Sequence, residues 1–162
     1  MRRLLLDRFI PYRLSVLTNK VSGAIARRYS ERFGLSIPEW RVMAVLGETP
    51  GLSAREVAAR TAMDKVQVSR AVASLIAARR VARTPDGDDG RVGHLTLTRA
   101  GQAVYDQIVP LALGLEKTFL AALSREERAI LDGLLTKLTR QAQCLNRGGQ
   151  ESADGRTGAA GP

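Results

Sequence analysis

The stretch Ser53-Ala54-Arg55-Glu56-Val57-Ala58-Ala59-Arg60-Thr61-Ala62-Met63-Asp64-Lys65-Val66-Gln67-Val68-Ser69-Arg70 decides the fold. Ser53 and Glu56 have the spacing at which a hydroxyl accepts from the amide three residues on while the carboxylate reaches back, so two unpaired donors are satisfied at a helix start. Asp64 and Gln67 repeat that spacing. Only Thr61-Ala62-Met63 separates the two helices so predicted, and two short helices across such a turn make a helix-turn-helix. The usual turn glycine is missing, and Ala62 must serve in its place.

The second of these helices is predicted to run to about Arg79. Projected at about 100° per residue, it puts Val68, Val72, Leu75 and Ile76 on one face and Gln67, Arg70 and Ser74 on the other, with Val66 and Ala73 beside them. One side packs on the preceding helix; the other is free to enter a groove. Gln can pair bidentately with adenine, Arg with guanine, and Val can pack on a thymine methyl, so this face has the chemistry of base readout. A capping role would divert Gln67 from the bases.

Downstream, Val81-Ala82-Arg83-Thr84 and Val92-Gly93-His94-Leu95-Thr96-Leu97 flank the turn-rich Pro85-Asp86-Gly87-Asp88-Asp89-Gly90. The pattern predicts a two-stranded hairpin, a wing. Asp88-Asp89-Gly90-Arg91 sets an Arg beside an acidic residue that can hold it extended at the hairpin's mouth, a form suited to the narrow, negative minor groove.

Long helices flank this lobe. From Leu4 to Phe33 the residues Phe9, Leu14, Leu17, Val21, Ala24, Ile25 and Tyr29 recur at helical steps, broken early only by Pro11. Gly34 ends that helix, and Ser36-Ile37-Pro38-Glu39 starts another, with Ser36 or Ile37 near the cap, that carries Trp40, Val42, Met43, Val45 and Leu46. Thr98 caps a helix through Val104, Ile108, Leu111, Leu115, Phe119 and Leu120, with a kink predicted at Pro110. Ser124-Arg125-Glu126-Glu127 opens a last helix through Leu145. From Arg147 onward periodicity is lost, which predicts a disordered tail over 147–162.

The fold class is therefore mainly α with a small β-hairpin wing: a winged helix-turn-helix over about 36–98, flanked by dimerisation helices over about 4–33 and 99–146, in a single domain of 1–146. The 162 residues suit one domain, and 44% apolar with 25% charged residues speaks against general disorder. A formal charge of +9 favours a polyanionic partner, nucleic acid or the surface of a membrane. No run reaches the roughly 18 apolar residues of a membrane span, so no membrane partner and a cytoplasmic location are expected.

Cys144 is the single cysteine and His94 the single histidine, which leaves no internal disulfide and almost no ligands for a metal. No cofactor is expected. Cys144 is expected to be a buried, inert thiol and His94 a surface residue of the wing. Without a P-loop or a dinucleotide-binding glycine pattern, nothing points to an enzyme.

The chain resembles the MarR family of bacterial regulators over roughly residues 8–146. The likeness is densest in Met63-Asp64-Lys65-Val66-Gln67-Val68-Ser69-Arg70, in Asp88-Asp89-Gly90-Arg91, and in Leu97-Thr98-Arg99-Ala100-Gly101. It implies that the helix of Lys65, Val66, Gln67, Ser69, Arg70 and Ser74 reads the major groove of double-stranded DNA, and that Asp89 positions Arg91 in the minor groove. Gly90 stands where many members carry another basic residue, and Val66-Gln67 replaces a common pair of small hydroxyl residues, which suggests a different operator.

The apolar stripes of the first and the last two helices would be half exposed in a monomer, and a two-fold interface would bury them. The resemblance implies a homodimer on a pseudo-palindromic operator, and a repressor released by a small anionic aromatic carboxylate or acyl-thioester effector. Tyr12, Arg13 and Trp40 are the effector-site candidates, because two amphipathic rings and a cation can hold an aromatic anion. The rival function is a winged helix that binds protein or RNA without reading DNA sequence. Convergence of Lys65, Arg70 and Arg91 on one convex surface separates the two.

Overall fold

The computed structural model describes residues 3–85 and 93–154, with side chains over 3–85 and 93–145. The elements follow in the order α1 (Ile10–Phe33), α2 (Ile37–Glu48), β1 (Leu52–Ser53), α3 (Ala54–Thr61), α4 (Lys65–Ala77), β2 (Val81–Pro85), β3 (Gly93–Leu97), α5 (Arg99–Phe119), a 3-10 turn (Leu120–Ala122) and α6 (Arg125–Asp154). Where the sequence predicts one domain, the chain falls into two compact units, and the boundary lies inside α5, between Leu115 and Glu116.

Helix starts follow from local chemistry. Ser36 is the cap of α2: its N–H donates to Glu39 Oε2 at 2.7 Å, and the Glu39 N–H donates to Ser36 Oγ. Reciprocal pairs join Ser53 to Glu56 at α3, Asp64 to Gln67 at α4 and Ser124 to Glu127 at α6. Ala62 closes α3 with φ 52°, the left-handed conformation that the missing turn glycine would adopt freely.

Helix α1 begins at Ile10 and not near Leu4. Pro11 lies in its first turn, where the absent N–H has no partner to lose, so it opens the helix where the sequence predicts an interruption. Gly34 caps its end at φ 62°, donating to the Ser30 carbonyl at 2.8 Å.

Among the described residues the sheet has three strands, not the two of a bare hairpin, in the antiparallel order β1-β3-β2. Gly51, at φ 80°, turns the chain so that its N–H donates to the Leu95 carbonyl at 2.9 Å. Leu52 and Ser53 then pair with Leu95 and His94, which covers an edge of β3. His94 is consequently half-buried, with Nδ1 2.8 Å from the Gly51 carbonyl oxygen, in place of the surface position expected.

The core joins Tyr29 of α1, Val42, Met43 and Leu46 of α2, Val57 of α3, Val68, Val72 and Leu75 of α4, Leu95 of β3 and Ile108 of α5. On α4 the buried face is completed by Ala71, while Ile76, expected there, is exposed one step from the end of the helix.

The joint between the wing and α5 explains the Leu97-Thr98-Arg99-Ala100-Gly101 stretch. Thr98 Oγ1 accepts from the Gly101 N–H at 3.0 Å and donates to the Arg79 carbonyl at 2.7 Å. A side chain on Gly101 would overlap the Arg80 carbonyl oxygen, so the backbones meet there only because residue 101 has no Cβ.

Beyond the unit boundary, α5 stops at Phe119 and Leu120 enters the 3-10 turn. Helix α6 continues to Asp154, past the Arg147 at which disorder is predicted, since each added residue of an established helix gains a hydrogen bond without repeating the cost of nucleation. Cys144 is exposed, not buried: in this unit α6 turns that side to solvent.

Candidate DNA interface

Helix α4 presents the candidate surface. Val68, Ala71, Val72 and Leu75 are buried, which turns Lys65, Val66, Gln67, Ser69, Arg70 and Ser74 outward, all exposed. Val66 is 57% exposed, an apolar side chain with no core to fill and the right character for a thymine methyl. Lys65 and Arg70 bring positive charge to this helix. Gln67 holds its side-chain oxygen 3.4 Å from the Asp64 N–H, so its cap role engages the acceptor and leaves its amide N–H groups to donate.

Two candidates do not behave alike. Ser69 stands free on the face. Ser74 donates to Glu39 Oε1 at 2.5 Å and so is bound from beneath, by α2. Ser36, Pro38, Glu39, Gln67, Arg70 and Ser74 together line an open groove of about 310 Å³ between the start of α2 and α4. Partial burial alone would raise the Glu39 pKa, but hydrogen bonds from Ser74 and Ser36 and the nearby Arg80 charge outweigh it and hold the carboxyl below its ordinary value.

Asp89 and Arg91 lie outside the described residues, as does the whole connection over 86–92. The strands on either side are described, with Val81 opposite Leu97 and Pro85 opposite Gly93. Arg83 of β2 is exposed, and its stem crosses Gly93, where a Cβ would stand 2.7 Å from the Arg83 Cγ and Cδ. Its cationic place beside the wing was not singled out from sequence; the signal was a glycine inside a strand.

The effector candidates are not assembled. Tyr12 and Arg13 are exposed and, with Ile10, Leu14, Leu17 and Lys20, line an open groove of about 460 Å³ on the first half of α1. Trp40 instead lies between Tyr29 at 5.7 Å and Tyr105 at 5.9 Å, ring centroid to centroid. Tyr29 follows Tyr12 along α1 by about 25 Å at a rise of about 1.5 Å per residue, which separates the two places. Burial pushes the Tyr29 hydroxyl up to about 12, against a lowering by Arg41, so the Tyr29 hydroxyl stays protonated at ordinary pH.

Among the described residues no group of three or more His, Cys, Asp or Glu could hold a metal, and no helix is long and apolar enough to cross a membrane. A helix-turn-helix followed by an antiparallel strand pair, with an exposed, partly cationic second helix, is the architecture found in winged-helix DNA-binding regulators.

The sequence profile of the MarR family matches residues 33–92. The transcriptional repressor Rv2887 of Mycobacterium tuberculosis is 28% identical over 131 residues, which cover 80% of this chain and 91% of that protein. The crystal structure of a MarR/EmrR family regulator from Acinetobacter superposes with a TM-score of 0.80 at 27% identity, over 86% of this chain and 99% of the other. BpsR of Bordetella bronchiseptica, whose DNA binding is regulated by 6-hydroxynicotinic acid, shares the fold with a TM-score of 0.76 at 22% identity, over 85% and 98%. Over residues 33–92 the chain is thus similar to the MarR family of transcriptional regulators, and its fold matches that of the winged helix-turn-helix structures of that family.

Proposed function

We propose that this protein is a sequence-specific DNA-binding repressor that acts as a cytoplasmic homodimer on a pseudo-palindromic operator and is released by a small anionic effector. The observation that carries the reading is the outward face of α4, where Lys65, Val66, Gln67, Ser69 and Arg70 are exposed around a buried apolar stripe. Arg70 is assigned to a guanine edge, Val66 to a thymine methyl and Lys65 to phosphate. By resemblance, Arg91, oriented by Asp89, enters the minor groove.

Dimerisation is supported by large apolar side chains left exposed in the single chain, among them Leu14 and Leu17 on α1 and Ile130, Leu134 and Leu138 on α6. The effector class, an aromatic carboxylate or an acyl thioester, is supported by family resemblance and by the regulation of BpsR, a protein of the same fold, by 6-hydroxynicotinic acid. Selection of duplexes from a randomised library tests the reading, and enrichment of one two-fold symmetric sequence is the expected result. A pool that stays random would speak against it. A thermal-shift series of phenolic acids and acyl thioesters then tests the effector, through loss of binding to the enriched duplex.

A further inference from the structure

Glu39 stands in the first turn of α2, where a carboxylate ordinarily serves only its own helix. Its Oε2 does so, accepting from the Ser36 N–H and from Ser36 Oγ, both at 2.7 Å. Its Oε1 leaves the helix and accepts from Ser74 Oγ at 2.5 Å, a residue of α4 that lies 35 positions along the chain. A hydroxyl bound to an ionised carboxylate at this length is among the stronger hydrogen bonds a protein makes.

A second tie lies close by. Arg80 follows α4 and places its charge near Glu39, while its Nη2 donates at 2.6 Å to the carbonyl of Phe33, the last residue of α1. The corner between α1 and α2 is thus fastened to the reading helix on the helix itself and just beyond its end. Val42, Met43 and Leu46 of α2 share one apolar core with Val68, Val72 and Leu75 of α4. Apolar contact is non-directional and tolerates a turn of the helix about its axis; a hydrogen bond does not.

We propose that Glu39 is a positioning residue for DNA reading: by holding Ser74 it fixes the rotation of α4 against α2, and with it the direction in which Val66, Gln67 and Arg70 face. The inference rests on the DNA-binding reading above. It reassigns Ser74, which acts through Glu39 and does not donate to a base.

The test measures affinity for the duplex enriched by the wild-type protein and for a scrambled duplex, by fluorescence anisotropy on folded dimer. Ser74→Ala and Glu39→Ala should each reduce the ratio of the two affinities about five- to tenfold, and the double variant should lose no more than either single one. Glu39→Gln, whose amide can accept from Ser36 and donate to Ser74, should keep the ratio within about twofold. Because stability alone does not change this ratio, Ser74→Ala decides even if Glu39→Ala folds poorly. An unchanged ratio in Ser74→Ala would overturn the proposal, and additive losses would mean that Ser74 touches DNA itself. A wild-type protein that does not discriminate at all would instead fail the functional reading on which the proposal stands.

Discussion

The Thr98 N–H donates to the Arg80 carbonyl at 3.0 Å, and this backbone bond joins the turn after α4 to the start of α5. Gly101 makes that joint possible, since its missing Cβ leaves room for the same carbonyl. Gly101→Ala should therefore destabilise the protein by about 1–3 kcal/mol, because the obstacle is backbone and cannot swing aside. A thermal melt checks this, and an unchanged midpoint would show that the joint has slack.

Ala62 provides the opposite case. It bears a Cβ in a left-handed conformation that costs a non-glycine residue roughly 1–2 kcal/mol, while glycine returns part of that through the entropy of the unfolded chain. Ala62→Gly should stabilise by about 0.5–1 kcal/mol, a rise of a few degrees in Tm. A fall in Tm would contradict the strain assigned to this turn.

Acid should weaken the tie between α2 and α4. The Glu39 carboxyl titrates below its ordinary value in the folded state, so the stability it contributes is complete above the unfolded carboxylate range and is lost as pH falls through the folded pKa. As pH falls below the ordinary carboxylate range of about 4, the Tm of the wild type should fall more than that of Glu39→Gln, which has no proton to take up at this position. Parallel curves would remove Glu39 from the acid response.

How far the sequence foretold these features follows from the range of the interactions. Caps at Ser53, Asp64 and Ser124 were legible because the pairing rule spans three residues. The outward face of α4 was legible from its period, apart from Ile76, whose place near the end of the helix frees it from the core. Strand β1 was not: two residues carry no alternation, and their partners Leu95 and His94 lie far along the chain. The Ser74 bond to Glu39 and the seat of Trp40 between Tyr29 and Tyr105 are likewise contacts of distant residues, which neither spacing nor composition announces.

Arg91, assigned from sequence to the minor groove, should behave as a general contact. Arg91→Ala should weaken binding to the enriched duplex and to A·T-rich competitor DNA alike, and should lower the salt dependence by roughly one counterion per half-site. Titrations at several salt concentrations measure both. A loss confined to the enriched sequence would place Arg91 on a base.

Arg70 bears most directly on the claim that α4 reads sequence. Affinity of Arg70→Ala, measured beside the wild type on the enriched and the scrambled duplex at one salt concentration, decides it. The predicted result is a loss of about 1–3 kcal/mol on the enriched duplex with a much smaller change on the scrambled one. Wild-type affinity for both would contradict the account, because the exposed face of α4 would then not be turned to DNA.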